Sequence, residues 1–578
     1  MKIANLLASG WRGTSLTPLS ALDIALVQLL QNLQASTDER HLWLAALASH
    51  QWGGGHACLD LNGWPANAGL LLGWGAQALA ALPNNLSQGL SDIPWTQGEN
   101  SPLVVQGKRL YLRRAWQAEQ DIHSRLMALQ QGRVALPNLA QQLDHLFGTD
   151  PHDGQRLACA HAAQNALTLI TGGPGTGKTT TVVKLLRLLQ STADTPLRTL
   201  LAAPTGKAAA RLGQAMAQSR ATLSDSDAAC LPNTAHTLHK LLYTRDGTAP
   251  VLQADVIVVD EASMIDLELM ARLLKAVPAH ARLVLLGDKD QLASVEAGAV
   301  MSQLCQAPWL QAHTMVLTRS HRFDPDLGIG AWAKACNAGD SAGLQALWET
   351  APEACWSESA AVTKLSKAHS STDVLQAVAA AWMPWRKLLE PLQQGQTCED
   401  AQALALLNSF GGTGVLCGLR EGPWGVKHFN QQLQLAMGFA NTDWFVGRPV
   451  MARRNDYALG LMNGDLGMCL PVLVDGEVRL RVAFPDGKGG VRWRVPSRLG
   501  AIDTVFAMTV HQSQGSEFER VLLILPDIET ALLTRELVYT GVTRARQGLC
   551  VWAPAPSLLV QAVAHTVVRS GGLIESVL

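Results

Sequence analysis

Charge is scarce in this chain. Asp, Glu, Lys and Arg make up 16% of its 578 residues, against roughly a quarter in an average soluble protein, and mean hydropathy is slightly positive. Either much of the chain is buried or partners cover part of its surface. Net charge is −1, so no global attraction to nucleic acid exists and any such groove must be a local basic strip. Aromatic residues are only 5%, which leaves base stacking to a few rings or imidazoles. The ten cysteines form no C-x-x-C pair and no paired spacing. That speaks against disulfides, zinc or an iron–sulfur cluster and for reduced thiols in a cytoplasmic protein. No run of 18 apolar residues occurs, and the opening MKIANLLASGWRGTSLTPLS has neither a sustained apolar core nor a small-residue cleavage pattern. A membrane span and an export signal are therefore not expected.

What is present divides into regions. A chain of this length splits into about three or four domains. Residues 1–140 carry helical patterns (LDIALVQLLQNL, HLWLAALASH), a Gly-rich turn and a short strand at ACLDL, but no catalytic constellation. A packing or partner-docking domain is expected there. From about 150, short apolar runs (LTLIT, TLLAAPT, VIVVDEAS, RLVLLGD, TMVLT) alternate with helical patterns. A parallel sheet buried on both faces needs such runs. A second series (TGVLCG, TVFAMTV, RVLLILP, LCVWAP) lies near the C-terminus, interrupted at 445–505 by alternating polar and apolar residues around GEVRLRVAFPDGKGGVRWRVP. This predicts an α/β fold of two parallel-sheet domains, at 141–340 and 341–578, the second carrying a small antiparallel β insertion. Residues 340–400 indicate helices and little else.

After LTLIT come Gly172, Gly173, Pro174, Gly175, Thr176, Gly177, Lys178, Thr179 and Thr180, leading into an apolar helix. Glycines there let successive N–H groups face an anion, and the helix start adds its positive end. Lys178 reaches the β- and γ-phosphates while the Thr179 hydroxyl takes a place on Mg²⁺. About 80 residues on, VIVVDEAS ends a buried run with Asp260, placed to hold Mg²⁺, and Glu261, placed to orient and deprotonate an attacking water. ATP hydrolysis is the chemistry this pair of motifs predicts.

At this point the chain resembles the superfamily 1 helicases, in motif order, over about 150–555. The resemblance implies two RecA-like motor domains with ATP between them. In GQRLACAHA, Gln155 is similar to the glutamine that reads adenine. APTGKAAARL (Thr205, Lys207) and TAHTLHKLL (His236, Thr237) resemble segments that touch single-stranded nucleic acid. LLGDKDQL supplies Asp288 and Gln291, the latter similar to the residue that senses the γ-phosphate. Arg322 in LTRSHRF and Arg544 in VYTGVTRAR stand where the family has arginine fingers. TVHQSQGSEFERVLLILP, with His511, Gln512, Ser513, Gly515 and Glu517, resembles the segment coupling strand to nucleotide. His236 and His511 remain open between a core histidine bonded to backbone and a strand contact. Within the superfamily, HLWLAALASHQWGGGHACLDL, RLYLRRAWQAEQDI, GLREGPWGVKHFNQQL and RRNDYALGLMNGDLGM resemble the RecD family, the α subunits of the RecBCD helicase–nuclease (exodeoxyribonuclease V). That likeness implies a 5′-to-3′ motor on single-stranded DNA from a duplex end, working with RecB-like and RecC-like subunits in recombination and repair. It also implies an SH3-like insertion.

Two other readings stand beside it: a free-standing helicase, and a structural subunit with an idle ATPase. Arg113-Arg114, Arg453-Arg454 and Arg492-x-Arg494 read as solvated surface, partner contacts or DNA contacts. PDGK at 485–488 resembles half of a metal-nuclease pattern, but no second acidic residue and lysine follow at usable spacing. A β-turn is expected there, with any nuclease centre on a partner.

Overall fold

The computed structural model describes residues 18–575 except 134, 135, 137, 230, 244–249, 295, 367, 368, 370, 441, 457 and 488. Most of the N-terminal stretch discussed above, Cys230 and Lys488 of PDGK lie outside the described residues. Among those described, no helix is long and apolar enough to cross a membrane, and nine cysteines are all unbridged.

The helices Ala21–Leu33 and Glu39–Gly53 form as their pattern predicts. Ser20 and Asp23 make a reciprocal capping box at the first, and Asp38 caps the second. They pack Leu30, Trp43, Leu44 and Leu47 with residues of a three-stranded antiparallel sheet. That sheet consists of β1 (Leu59–Asp60), β2 (Leu103–Gln106) and β3 (Arg109–Leu112), in the order β1-β3-β2. Only β1 is anticipated by the sequence. Helix Arg113–Gln130 lies within the 1–140 region read as the first domain but packs elsewhere. Ala115, Ile122, Leu126 and Leu129 share a core with Met270, Leu273 and Leu274 of the helix Leu267–Ala276. Arg125 also donates to the carbonyls of Leu274 and Val277 at 3.2 and 2.5 Å, where a cation suits the helix's negative end. By packing, the first motor core begins near residue 113.

The first motor sheet is parallel throughout, in the order β6-β5-β7-β8-β4-β9. Its strands are β4 (Leu167–Gly172), β5 (Thr199–Ala203), β6 (Ala235–Thr237), β7 (Val256–Val259), β8 (Arg282–Gly287) and β9 (Thr314–Leu317). Strands β4 and β7 are buried at every position, as a sheet covered on both faces requires. In the order β7-β8-β4, the carboxyl ends of three neighbouring strands deliver Asp260, Asp288 and the glycine loop to one edge. Ligands of open parallel sheets bind at that edge.

The second sheet, also parallel, has the order β10-β19-β18-β11-β17. Strand β10 (Val362–Leu365) lies in the stretch read as helical; four residues at a sheet edge, between helices, leave little periodic signal. β11 is Thr413–Cys417. The insertion follows, with β12 (Pro449–Ala452), β13 (Leu466–Val474), β14 (Glu477–Pro485), β15 (Val491–Arg494) and β16 (Ile502–Thr504). These form an antiparallel sheet in the order β15-β14-β13-β12-β16. Asp475 and Gly476 join β13 to β14 with φ of 52° and 81°, as a two-residue type I′ turn demands. The chain then returns to the motor sheet with β17 (Ala507–Thr509), β18 (Phe518–Ile524) and β19 (Ala545–Trp552). Helix Gly328–Ala338, expected before the boundary at 340, buries Ile329, Trp332 and Cys336 in this second core. The first lobe's last strand ends at Leu317, so the switch falls between there and 328.

The tail after the last helix crosses back to the front of the chain. Ser570 O accepts from Ala57 N, Trp309 Nε1 donates to Leu573 O, and Arg109 forks onto Glu575. Gly572 N–H donates to both Glu119 carboxylate oxygens, at 2.9 and 3.0 Å. Burial pushes Glu119 up from 4.5 to about 7, against that hydrogen bond. A carboxyl with a raised folded pKa contributes stability that is complete below about 4.5 and lost as pH rises through about 7. The melting temperature should therefore fall between pH 5 and pH 8, by a share equivalent to at most about 3 kcal/mol. Glu119→Gln should flatten that share of the slope, checked by thermal melts of both proteins across the range.

Candidate active site

The loop between β4 and helix Lys178–Ser191 depends on glycine. Gly175 and Gly177 have φ of 78° and 81°. A Cβ on Gly175 would lie 2.4 Å from Arg322 Cβ, and one on Gly177 would lie 2.1 Å from Gln155 Nε2. The loop is thus pressed between two of the residues singled out from sequence. Lys178 Nζ donates to the carbonyls of Gly172 and Gly173 at 2.5 and 3.1 Å, folding the ammonium over its own loop. Thr176 Oγ1 closes the turn on Gly173 O. Gln155, in the first turn of the helix Gly154–Gln164 capped by Asp153, donates Nε2 to Thr176 O and contacts His321 Nε2, each at 3.2 Å.

A cavity of about 1130 Å³ opens at this edge. From the first lobe it is lined by Gln155, the residues Pro174 to Thr180, Asp260, Glu261 and Gln291, from the joining segment by Arg322, and from the second lobe by Glu517 and Arg544. Asp260 lies at the end of β7, its N–H bonded to Ala202 O, and its carboxylate accepts the Glu261 N–H at 2.9 Å. Burial and the neighbouring Glu261 push the Asp260 carboxyl up, opposed by Lys178. Glu261 itself takes a left-handed backbone, φ 53°, a strained turn that brings two consecutive carboxylates to one strand end.

Behind the wall the lobes are stitched together. Arg544 is 3% exposed. It donates Nη2 to Gln291 Oε1 at 2.8 Å, Nε to Thr540 O and Nη1 to Ser516 O. Gln291 Nε2 donates to Asp288 Oδ2, which also accepts the Tyr539 hydroxyl at 3.1 Å. Leu292 N–H donates to Thr540 Oγ1, and its carbonyl accepts from Gln514 Nε2. Gln514, Tyr539 and Thr540 escaped the sequence reading, although each lies within five residues of a residue it named. Arg211 and Arg546 escaped it too, and both line the cavity. Arg211 is one helical turn beyond Lys207, and Arg546 two residues beyond Arg544.

The residues assigned to a nucleic-acid strand fare differently. None lines the cavity. Thr205 and Thr237 are helix N-caps, accepting from the N–H of Ala208 and Lys240. Thr237 is buried as well, and its hydroxyl is engaged in the cap. Ser513, at 0% exposure, donates to Val510 O, closing the turn His511–Ser513. Gln512 Oε1 accepts from Thr509 N and Oγ1. Burial lowers the pKa of both His236 and His511, and both rings stay partly exposed. Lys207 meets the insertion, where a Cβ on Gly206 would strike Met462 at 2.4 Å. Burial brings its ammonium down to about 8, opposed by Asp465. Gly515 is absent from the cavity wall: at φ 71° it lies where a Cβ would make ordinary contact, at 3.6 Å, with Ala208 of the other lobe. Gly172 and Gly173 likewise stand behind the wall as acceptors for Lys178. In PDGK, Asp486 accepts from Gly490 N–H, as in a turn.

Residues 16–111 match the N-terminal domain of RecBCD enzyme subunit RecD, 151–351 the AAA domain, and 504–552 the UvrD-like helicase C-terminal domain. The RecBCD enzyme subunit RecD of Mycobacterium tuberculosis is 36% identical over 585 residues, covering 96% of this chain and 94% of that protein. That of Mycolicibacterium smegmatis is 37% identical over 594 residues, covering 96% and 97%. That of Haemophilus influenzae is 35% identical over 533, covering 82% and 81%. Likeness at this level, over nearly the whole length of both partners, extends through the N-terminal domain and the insertion as well as the motor, and the chain belongs to the RecD family of RecBCD enzyme subunits.

Proposed function

We infer that this chain is an ATP-dependent DNA helicase, the α subunit of a RecBCD-type helicase–nuclease, that moves 5′ to 3′ along single-stranded DNA. One observation carries the reading: Lys178, Asp260, Glu261, Gln291, Arg322 and Arg544 line one cavity drawn from both lobes. A structural subunit with an idle ATPase would not need the set intact.

The residues present fit a nucleoside triphosphate. Among the described residues Arg322 Nη1 is buried without a hydrogen-bond partner, and the glycine loop excludes any side chain from the cradle. Thr179 and Asp260 offer the hard oxygen donors Mg²⁺ takes, and that ion would supply charge neutralisation on the phosphates. Lys178 swings from its loop carbonyls to the phosphates, and Glu261 orients and deprotonates water. Arg322 and Arg544 neutralise charge on the terminal phosphoryl oxygens. Gln155 reads the base. Because Arg544 is bonded to Gln291, and Gln291 to Asp288, a change at the terminal phosphate is felt at the seam between lobes. Opening that seam alters the spacing between the turn at Lys207 on one lobe and the segment at His511 on the other, and so steps the motor along a strand. Family membership supports the polarity, RecB-like and RecC-like partners and a nuclease centre on a partner; the unbridged cysteines of the described residues favour a cytoplasmic setting. Leu22, Leu29 and Leu33, all largely exposed on one helix, favour a chain that works in an assembly.

Unwinding of tailed duplexes tests the polarity. A 5′ single-stranded tail should support unwinding and a 3′ tail should not, by a margin of at least about tenfold. Equal use of both tails would remove the directional claim.

A further inference from the structure

Three arginines converge on one carboxylate at the mouth of the cavity. Glu517 belongs to the second lobe, just before β18, and its side chain is 8% exposed. It accepts from Arg322 Nη2 at 2.9 Å on each oxygen, from Arg546 Nε at 3.0 Å, and from Arg211 Nη2. Arg211, on the helix Gly206–Ala221, comes from the first lobe, Arg322 from the segment that joins the lobes after β9, and Arg546 from the second. Burial would raise Glu517, yet Arg211 and Arg322 hold it down to about 2. It is an ionised, largely buried anion.

This arrangement creates a competition. Glu517 holds one terminal nitrogen of Arg322, the finger assigned to the terminal phosphate, while the other has no hydrogen-bond partner among the described residues. For Arg322 to give both nitrogens to a phosphate, Glu517 must release it. A buried carboxylate abandoned by its sole partner would pull the finger back, since the desolvation cost is left uncompensated. Glu517 is not abandoned, because Arg211 and Arg546 stay on it.

We propose that Arg211 is a positioning residue for ATP hydrolysis: it keeps Glu517 satisfied across the lobe seam, so that Arg322 can transfer from that carboxylate to the terminal phosphate. The inference rests on the ATPase reading. It also gives the helix that starts at the Thr205–Lys207 turn a direct tie to the finger. A surface ion pair would be the ordinary reading of an arginine 40% exposed. Here the partner is largely buried, spans two lobes and is shared with a cavity residue, which ordinary surface pairs are not.

The test is single-stranded-DNA-stimulated ATP turnover of the full chain. Arg211→Gln should lower kcat by up to about 100-fold, the cost of a misplaced catalytic group, with KM for ATP changed less than about threefold. Arg211→Lys, which keeps the charge, should stay near wild type. Adding Glu517→Gln to Arg211→Gln removes the competing anion and should restore kcat by about tenfold. The proposal is overturned if Arg211→Gln turns over like wild type, if it raises KM and spares kcat, or if Glu517→Gln deepens the loss. Lys178→Gln is run alongside. If it stays active, the ATPase reading itself fails; if it is dead while Arg211→Gln is normal, only this inference does.

Discussion

Lys178→Gln should lower DNA-stimulated ATP turnover by at least about 1000-fold, the scale for removing one preorganised charge donor from a site where phosphate charge develops. The same change should scarcely move the melting temperature. In the structure Lys178 Nζ makes two hydrogen bonds, both to carbonyls of its own loop. Glutamine can replace one of them through its amide, and the net worth of the other is about 1 kcal/mol. The loop's shape is kept by Gly175 and Gly177, by Thr176 on Gly173 and by Thr181 on Gly177, none of which involves the ammonium. Turnover and thermal melting measured on one preparation separate the two effects. Wild-type turnover in the variant would show that this loop does not cradle the hydrolysed phosphate.

Arg544 should matter as much and for a different reason. Its guanidinium holds Thr540 O, Ser516 O and Gln291 Oε1 at once, and burial lowers its pKa, opposed by Glu261 and Glu517. Arginine fingers contribute roughly 10³ to 10⁵ in rate. A lysine cannot reproduce a planar, multiply bonded fork, so Arg544→Lys should lose at least about 1000-fold in kcat while binding a fluorescent ATP analogue nearly as well. Binding lost in parallel with turnover would make Arg544 a ground-state contact. Turnover within threefold of wild type would leave the seam between Arg544 and Gln291 without a role in chemistry.

The cleft was legible in the sequence to an unequal degree. Residues fixed by local backbone chemistry stood out: glycines that must adopt positive φ, a lysine at a helix start, two acids closing an apolar run. Residues whose role depends on a second lobe did not. Arg211 reads as one more basic residue on an amphipathic helix until Glu517, 306 positions away, is brought against it. Tyr539 reads as a core aromatic until its hydroxyl is seen on Asp288. Ser513 and Thr237 show the opposite ambiguity: their hydroxyls are engaged with the protein's own backbone. A small hydroxyl in a motif suggests a ligand contact, whereas capping and turn closure consume the same oxygen, and sequence does not tell these uses apart.

Domain limits followed the same rule. Helices Arg113–Gln130 and Gly328–Ala338 carry apolar faces that fit any core, and only packing decided that they cover the first and second motor sheets. By itself the sequence determined the two parallel sheets, the phosphate loop, the acid pair and the order of the motifs, because period, turn chemistry and strand-end placement act over a few residues. The tertiary structure alone decided which arginines share Glu517, which hydroxyls are spent inside the protein and where one lobe gives way to the next. Those outcomes depend on which surfaces meet, and a chain encodes that meeting only through all of its contacts at once.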